Sequence, residues 1–284
     1  MRRLLLLFAF VLCAWPADDQ AVIDWMHAHA IRLATPEAGH GFADMQPLKK
    51  VVGNARVVEL GEATHGTREF HADAQRGAGP RPQLHHEVRR RLPDGSGFRP
   101  RGGIECEAGA GPGQVSRDDS MAENIKWILD HSPRDKLVVW AHNGHVKAGG
   151  EGYGSMGESL RKMYGDHMVV FGFAFNQGSF QAVEMQKGLH NWTVPPAPAG
   201  SLHATLAATG LSLLALDLRQ VPKDGPVADW WRQPHKTRSI GAVYSETAAA
   251  NYFVDQTVPR SYDVLLFVEN TTAGSPSRYR PVGR

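Results

Sequence analysis

Val57-Val58-Glu59-Leu60 runs directly into Gly61-Glu62-Ala63-Thr64-His65-Gly66-Thr67-Arg68-Glu69, and this switch from a short aliphatic run to a dense polar loop decides how the fold is read. Four residues are too few for a helix and suit a buried strand. The same kind of run recurs in Leu137-Val138-Val139-Trp140, Met168-Val169-Val170-Phe171, Leu213-Leu214-Ala215-Leu216 and Val264-Leu265-Leu266-Phe267-Val268. Helical spacing fills the intervals: Met121, Ile125, Ile128 and Leu129 predict a helix over 120–131, and Met156, Leu160 and Met163 predict one over 155–164. Val22, Ile23, Met26 and Ile31 predict a further helix over 18–34, with Asp18 or Asp19 as its N-cap. The stretch 173–184, with Asn176-Gln177-Gly178 at its centre, reads as a local hairpin. Strands alternating with helices predict an α/β fold: a mostly parallel central sheet covered by helices.

The chain of 284 residues has room for one large domain, and 42% hydrophobic with 21% charged residues is ordinary for a globular protein. With 31 Lys and Arg against 29 Asp and Glu, the net charge is only +2. That balance argues against a nucleic-acid partner held by bulk electrostatics and favours small-molecule chemistry. Met1-Arg2-Arg3, the apolar run 4–12 and the following Cys13-Ala14-Trp15-Pro16-Ala17 have the layout of a secretory signal peptide. The expectation is therefore a domain over 18–284 that is secreted or periplasmic, with no stable membrane anchor after cleavage. Cleavage would leave Cys106 alone, so no intrachain disulfide is expected. Between residues 76 and 103 there are seven Arg, four Pro and six Gly, and periodicity is lost. This is the residue mixture of a GC-rich gene read out of frame, and residues 71–119 read as an irregular segment.

In open α/β sheets ligands bind at the carboxyl ends of the strands. Just past the expected strands stand Glu62, Thr64 and His65, then Ala141-His142-Asn143-Gly144-His145, with Glu105 after Ile104, Asp217 after Leu216 and Glu269 after Val268. Taken singly, each has an ordinary explanation, such as Glu62 at a helix entry or Thr64 as an N-cap. Three histidines and several carboxylates at one edge point instead to an active site. Glycines 61, 66 and 144 are expected to let the backbone approach a substrate closely. His65, oriented by Glu62, could act as general base on water. Alternatively Glu62, His65, Glu105, His142 and His145 could bind a divalent metal that supplies hydroxide. A Ser or Cys nucleophile is the least supported, because no G-x-S-x-G elbow occurs and Cys106 is next to Glu105. The literal G-x-G-x-x-G of 152–157 follows the histidine loop and not a strand, so it reads as capping of the helix near Ser155.

Leu60-Gly61-Glu62-Ala63-Thr64-His65-Gly66-Thr67-Arg68-Glu69-Phe70, Met121-Ala122-Glu123-Asn124, Trp140-Ala141-His142-Asn143-Gly144-His145-Val146 and Tyr262-Asp263-Val264-Leu265-Leu266-Phe267-Val268-Glu269 together resemble the erythromycin esterase family. The resemblance implies an α/β hydrolase that opens a carboxylic ester or macrolide lactone with water, and hence a part in the response to an antibiotic. By motif, His65 would be the general base, Glu62 its partner, and His142 and His145 the other active-site histidines. Glu105 is the best match to a further catalytic glutamate, and Arg68, Glu69 and Asn143 are candidate substrate contacts. Two departures stand out. Ala74 lies where the family carries a basic residue, and only 108–119 is available where relatives insert a helical segment. The segment 71–119 thus reads as truncated or frame-damaged. The expected cofactor is none, with a divalent metal as the alternative. The rival readings are a metal-dependent hydrolase using the same Glu/His cluster and a non-catalytic remnant or binding protein.

Overall fold

The computed structural model describes residues 17–37, 41–69, 116–150, 154–185 and 187–274. The leader, apart from Ala17, the basic tract, Glu105 and Cys106 lie outside the described residues. Among the described residues, no helix is long and apolar enough to cross a membrane.

All five expected strands form. They are β2 (Val57–Leu60), β3 (Leu137–Trp140), β4 (Met168–Glu184), β6 (Leu213–Asp217) and β9 (Val264–Thr271), joined by β1 (Ile31–Arg32) and β5 (Gly188–Val194) in one seven-stranded sheet. The order is β1-β6-β9-β4-β2-β3, with β5 paired to the far part of β4. Strands β3, β2, β4 and β9 are mutually parallel, while β6 runs antiparallel to β9. A separate ribbon pairs β7 (His235–Arg238) with β8 (Phe253–Gln256).

The aliphatic strands are buried on both faces because two apolar layers sandwich them. Along β9, Leu265 and Phe267 face a core shared with the helices α1 (Ala17–His29), α3 (Arg117–His131) and α5 (Met156–Tyr164). Val264, Leu266 and Val268 face a second core that includes α2 (Gln46–Val52). β3 departs from the expected burial. It is the last strand of the described sheet, and Val138 and Trp140 are exposed.

Three sequence expectations change in detail. The first helix stops at His29, and Ile31 passes into β1, where it pairs with Ala215. Its described part runs from Ala17, so Asp18 and Asp19 fall within the helix and not at an N-cap position. The expected hairpin at 176–178 does not form; β4 runs straight through, and the chain turns after Glu184 into β5. Asn176 is held by tertiary bonds instead: its Nδ2 donates to Glu269 Oε1 at 2.7 Å and its Oδ1 accepts from the Ala197 N–H at 2.9 Å. Gly178, at φ 118°, shifts the side-chain alternation by one. Phe171, Phe173 and Phe175 face the second core before it, and Phe180 and Ala182 after it. The helix over 155–164 forms as expected, with Ser155 Oγ accepting from the Glu158 N–H, so the glycine motif before it is explained by capping.

Candidate active site

Parallel register decides what meets at the sheet edge. Leu60 pairs with Trp140 on one side and Phe171 on the other, so the loops after β2 and β3 leave from the same point. The pairing carries on past the strands, with Ala141 N–H donating to Leu60 O at 3.1 Å and Asn143 N–H to Glu62 O at 2.9 Å. Glu62 and His142 are therefore neighbours by topology, although 80 positions apart in sequence.

His65 Nδ1 bonds Glu62 Oε1. The Glu62 side chain is 8% exposed and the His65 side chain 42%, so a buried carboxylate fixes an imidazole that solvent can reach. Among the described residues, Glu62 Oε2 is buried without a hydrogen-bond partner, as are Thr64 Oγ1 and Thr67 Oγ1 on the same loop. The His65 ring lies 5.1 Å from that of His142. The loop is stitched to β4 and to the segment just past β9: Gly66 O accepts from both Gln181 and Gly274 N–H, and Arg68 N–H donates to Thr272 O.

His142 has both nitrogens engaged. The Gly144 N–H donates to Nδ1 at 3.1 Å, so Nε2 carries the proton and donates to Ile240 O, also at 3.1 Å. Burial, reinforced by nearby His65, pushes its pKa down to about 4. His142, expected as one of the active-site histidines, thus has a supporting place beside His65. This neutral ring supports its neighbours and has no N–H left for a substrate. His145 sits one helical turn on, in α4 (Asn143–Val146), and its Nδ1 bonds Asp118 Oδ1 at 2.6 Å. Asp118 was missed from the sequence. It stands in the first turn of α3, behind a Ser116 and Asp119 capping box, and that cap was the one available cue.

Two expected substrate contacts are corrected as well. The Asn143 carboxamide is buried and clamps one residue: Nδ2 donates to Phe173 O at 2.7 Å and Oδ1 accepts from Phe173 N–H at 3.1 Å. Both carboxylate oxygens of buried Glu69 take bonds from Thr272, 2.8 Å from its N–H and 2.6 Å from its hydroxyl. Arg68 remains on the surface in an ion pair with Glu37. The glycines serve packing instead of substrate approach: a Cβ on Gly66 would lie 2.1 Å from Gln181 O, and one on Gly61 2.1 Å from Asn143 Oδ1. Asp217 leaves the site altogether. Because β6 is antiparallel to β9, Asp217 pairs with Val264 at the start of β9, with β9 and β4 between it and β2, and there it binds Arg219.

The proposed metal set is divided between two carboxylate–histidine pairs, Glu62–His65 and Asp118–His145. Among the described residues no three His, Cys, Asp or Glu side chains are gathered for an ion. Behind the site, Glu59 on β2 is fully buried, neither oxygen has a partner among the described residues, and burial pushes its pKa up to about 9.

The erythromycin esterase family profile matches residues 106–271, more than half of the chain. The chain belongs to the erythromycin esterase family. The matched range takes in Asp118, His142 and His145, while Glu62 and His65 precede it. Among solved structures, the fold is similar to a Bacillus cereus protein at TM-score 0.70 and 15% identity, over 91% of this chain and 99% of that one. It is also similar to a succinoglycan biosynthesis protein at TM-score 0.62 and 16% identity, over 92% and 99%. A mutant of erythromycin esterase EreC in its open conformation aligns at TM-score 0.40 and 13% identity, over 56% of this chain and 38% of that one. Family membership makes this chain a hydrolase-family protein with a small-molecule substrate.

Proposed function

We propose that the protein hydrolyses a carboxylic ester, a macrolide lactone included, with water activated by His65. The observation that carries this reading is the Glu62–His65 pair at the carboxyl end of β2, a solvent-reachable imidazole held through Nδ1 by a buried carboxylate. In this reading the water oxygen bonds to the carbonyl carbon while its proton passes to His65 Nε2. The carbonyl π electrons move onto oxygen, and Glu62 stabilises the imidazolium. The bond from carbon to the alkoxide oxygen then breaks, the carbonyl re-forms, and His65 returns its proton to the leaving oxygen. In a lactone the resulting acid and alcohol stay in one molecule. His145, oriented by Asp118, is assigned to the developing oxyanion. His142 is a positioning residue that packs against His65. The reaction is proposed to need no resident metal, and the N-terminal leader to place the enzyme in the periplasm or outside the cell.

Incubation of the full chain with erythromycin, beside a panel of p-nitrophenyl esters and simple lactones, is expected to give products heavier by one water or the corresponding alcohols. His65→Ala should lower kcat/KM by about 10²–10⁴, the usual worth of a positioned base. Near-wild-type turnover by His65→Ala overturns the mechanism. Loss of activity on chelation and recovery with a single divalent ion transfers the site to the metal reading, and binding without turnover of any ester transfers it to a binding protein.

A further inference from the structure

A cavity of about 440 Å³ lies between the β7–β8 ribbon, the segment after β5 and the 3-10 turn Glu246–Tyr252. Its size falls within the range of small-molecule sites, about 300–1,000 Å³. The walls are apolar, with Val194, Pro196, Ile240, Tyr244, Tyr252 and Phe253 among them, and neither Glu62 nor His65 lines it. One wall residue does not fit an apolar void. Arg238 is 3% exposed, and among the described residues no carboxylate pairs with it.

The fold holds Arg238 rigidly. Its backbone N–H donates to His203 Nε2 at 2.8 Å, and that fully buried ring is itself fixed by Nδ1 donating to Phe175 O at 2.7 Å. The guanidinium lies between Phe175 and Phe253, its Cζ 5.0 Å from each ring centroid. Nη2 donates to Pro195 O at 3.1 Å, and Nη1 is buried with no partner among the described residues. A cation taken out of water costs several kcal/mol unless an anion or further acceptors complete it. The two stacked rings supply part of that compensation and leave one donor open. Lys236 also lines the cavity, but it is half-exposed and already paired with Asp255 at 2.9 Å.

We propose that this cavity binds a small amphipathic carboxylate, its acid group on the open edge of Arg238 and its apolar body against the proline and aromatic walls. A single buried guanidinium matches a monoanion better than a dianion, and the walls exclude a bare, strongly hydrated ion. Glu62, His65 and His145 do not line the cavity, although its wall residue Ile240 bonds His142 and Ala63, and the inference stands whether or not the proposed esterase activity is found.

The test is calorimetric titration of the full chain with octanoate and 4-phenylbutyrate, against octanol, 4-phenylbutanol and inorganic phosphate. Each acid is expected to bind at one site, at least about tenfold tighter than its alcohol, the worth of one charge-assisted hydrogen bond. Arg238→Met should bring the acid down to the affinity of the alcohol. Should that variant not fold, Ala250→Trp decides the matter, since Ala250 is exposed at the rim and the larger ring should block acid and alcohol alike while leaving Arg238 intact. Equal affinity of acid and alcohol, phosphate binding as tightly as the acids, undiminished acid binding in both variants, or no binding by any probe overturns the proposal.

Discussion

Asn143→Ala is the most direct test of how the site is built, because the residue can be read either as a substrate contact or as a structural clamp. β2 ends at Leu60, opposite Phe171, so Phe173 extends past it with its N–H and C=O turned towards the vacated side. The Asn143 carboxamide fills that place, giving Phe173 one donor and one acceptor as a continuing strand would. Alanine removes both bonds to the buried Phe173 backbone at about 1–3 kcal/mol each, or about 2–6 kcal/mol together, the upper end applying if no water enters. At about 2–4 °C per kcal/mol for a chain of this size, Tm should fall by about 5–20 °C. Urea unfolding should show a lower midpoint at unchanged slope. For the folded fraction, KM towards a small ester should stay near the wild-type value. A variant that melts like wild type and instead shows a raised KM would refute the clamp and restore Asn143 to the substrate.

Other consequences follow from packing and burial. Gly66→Ala should lower stability and turnover together, since its Cβ would meet Gln181 backbone oxygen at 2.1 Å and the His65 loop must move away from β4; circular dichroism melts and ester turnover on one preparation check this. Glu59 is protonated when folded, with a pKa near 9 against 4.5 in an unfolded chain, so the stability it removes grows as pH rises from about 4.5 towards 9. Glu59→Leu should therefore stabilise the protein by a few kcal/mol at pH 8 and much less at pH 5, and equal gains at both would rule out the neutral acid. His203, buried and bonded at both nitrogens, has its pKa pushed down to about 4 by burial. The unfolded imidazole takes up a proton near pH 6.5 and the folded one does not until about 4, so stability is lost as pH falls through that window. His203→Gln should flatten this part of the urea-derived stability profile, although it lowers stability at pH 7.

The strands were legible because each is a short aliphatic run, buried on both faces in all but β3, and this needs no knowledge of neighbours. The turn residues at 176–178 misled for the opposite reason: Asn176 looks like a local turn former, yet its amide is satisfied by Glu269 and Ala197, which only the folded chain brings near. Glu62 and His65 could be paired from a spacing of three, since one loop carries both. Asp118 could not be joined to His145 in this way, because the contact depends on where α3 starts relative to the end of β3.

By itself the sequence determined the α/β class, the strand-end loops and the Glu62–His65 pair, all of which depend on hydrophobic periodicity and local spacing. Strand direction and register decided the rest. Parallel β2 and β3 bring His142 beside His65, antiparallel β6 places Asp217 at the start of β9, with two strands between it and β2, and the early end of β2 turns Asn143 into a clamp. These outcomes follow from which backbone groups lack a partner once the sheet has formed, and no run of residues encodes that alone.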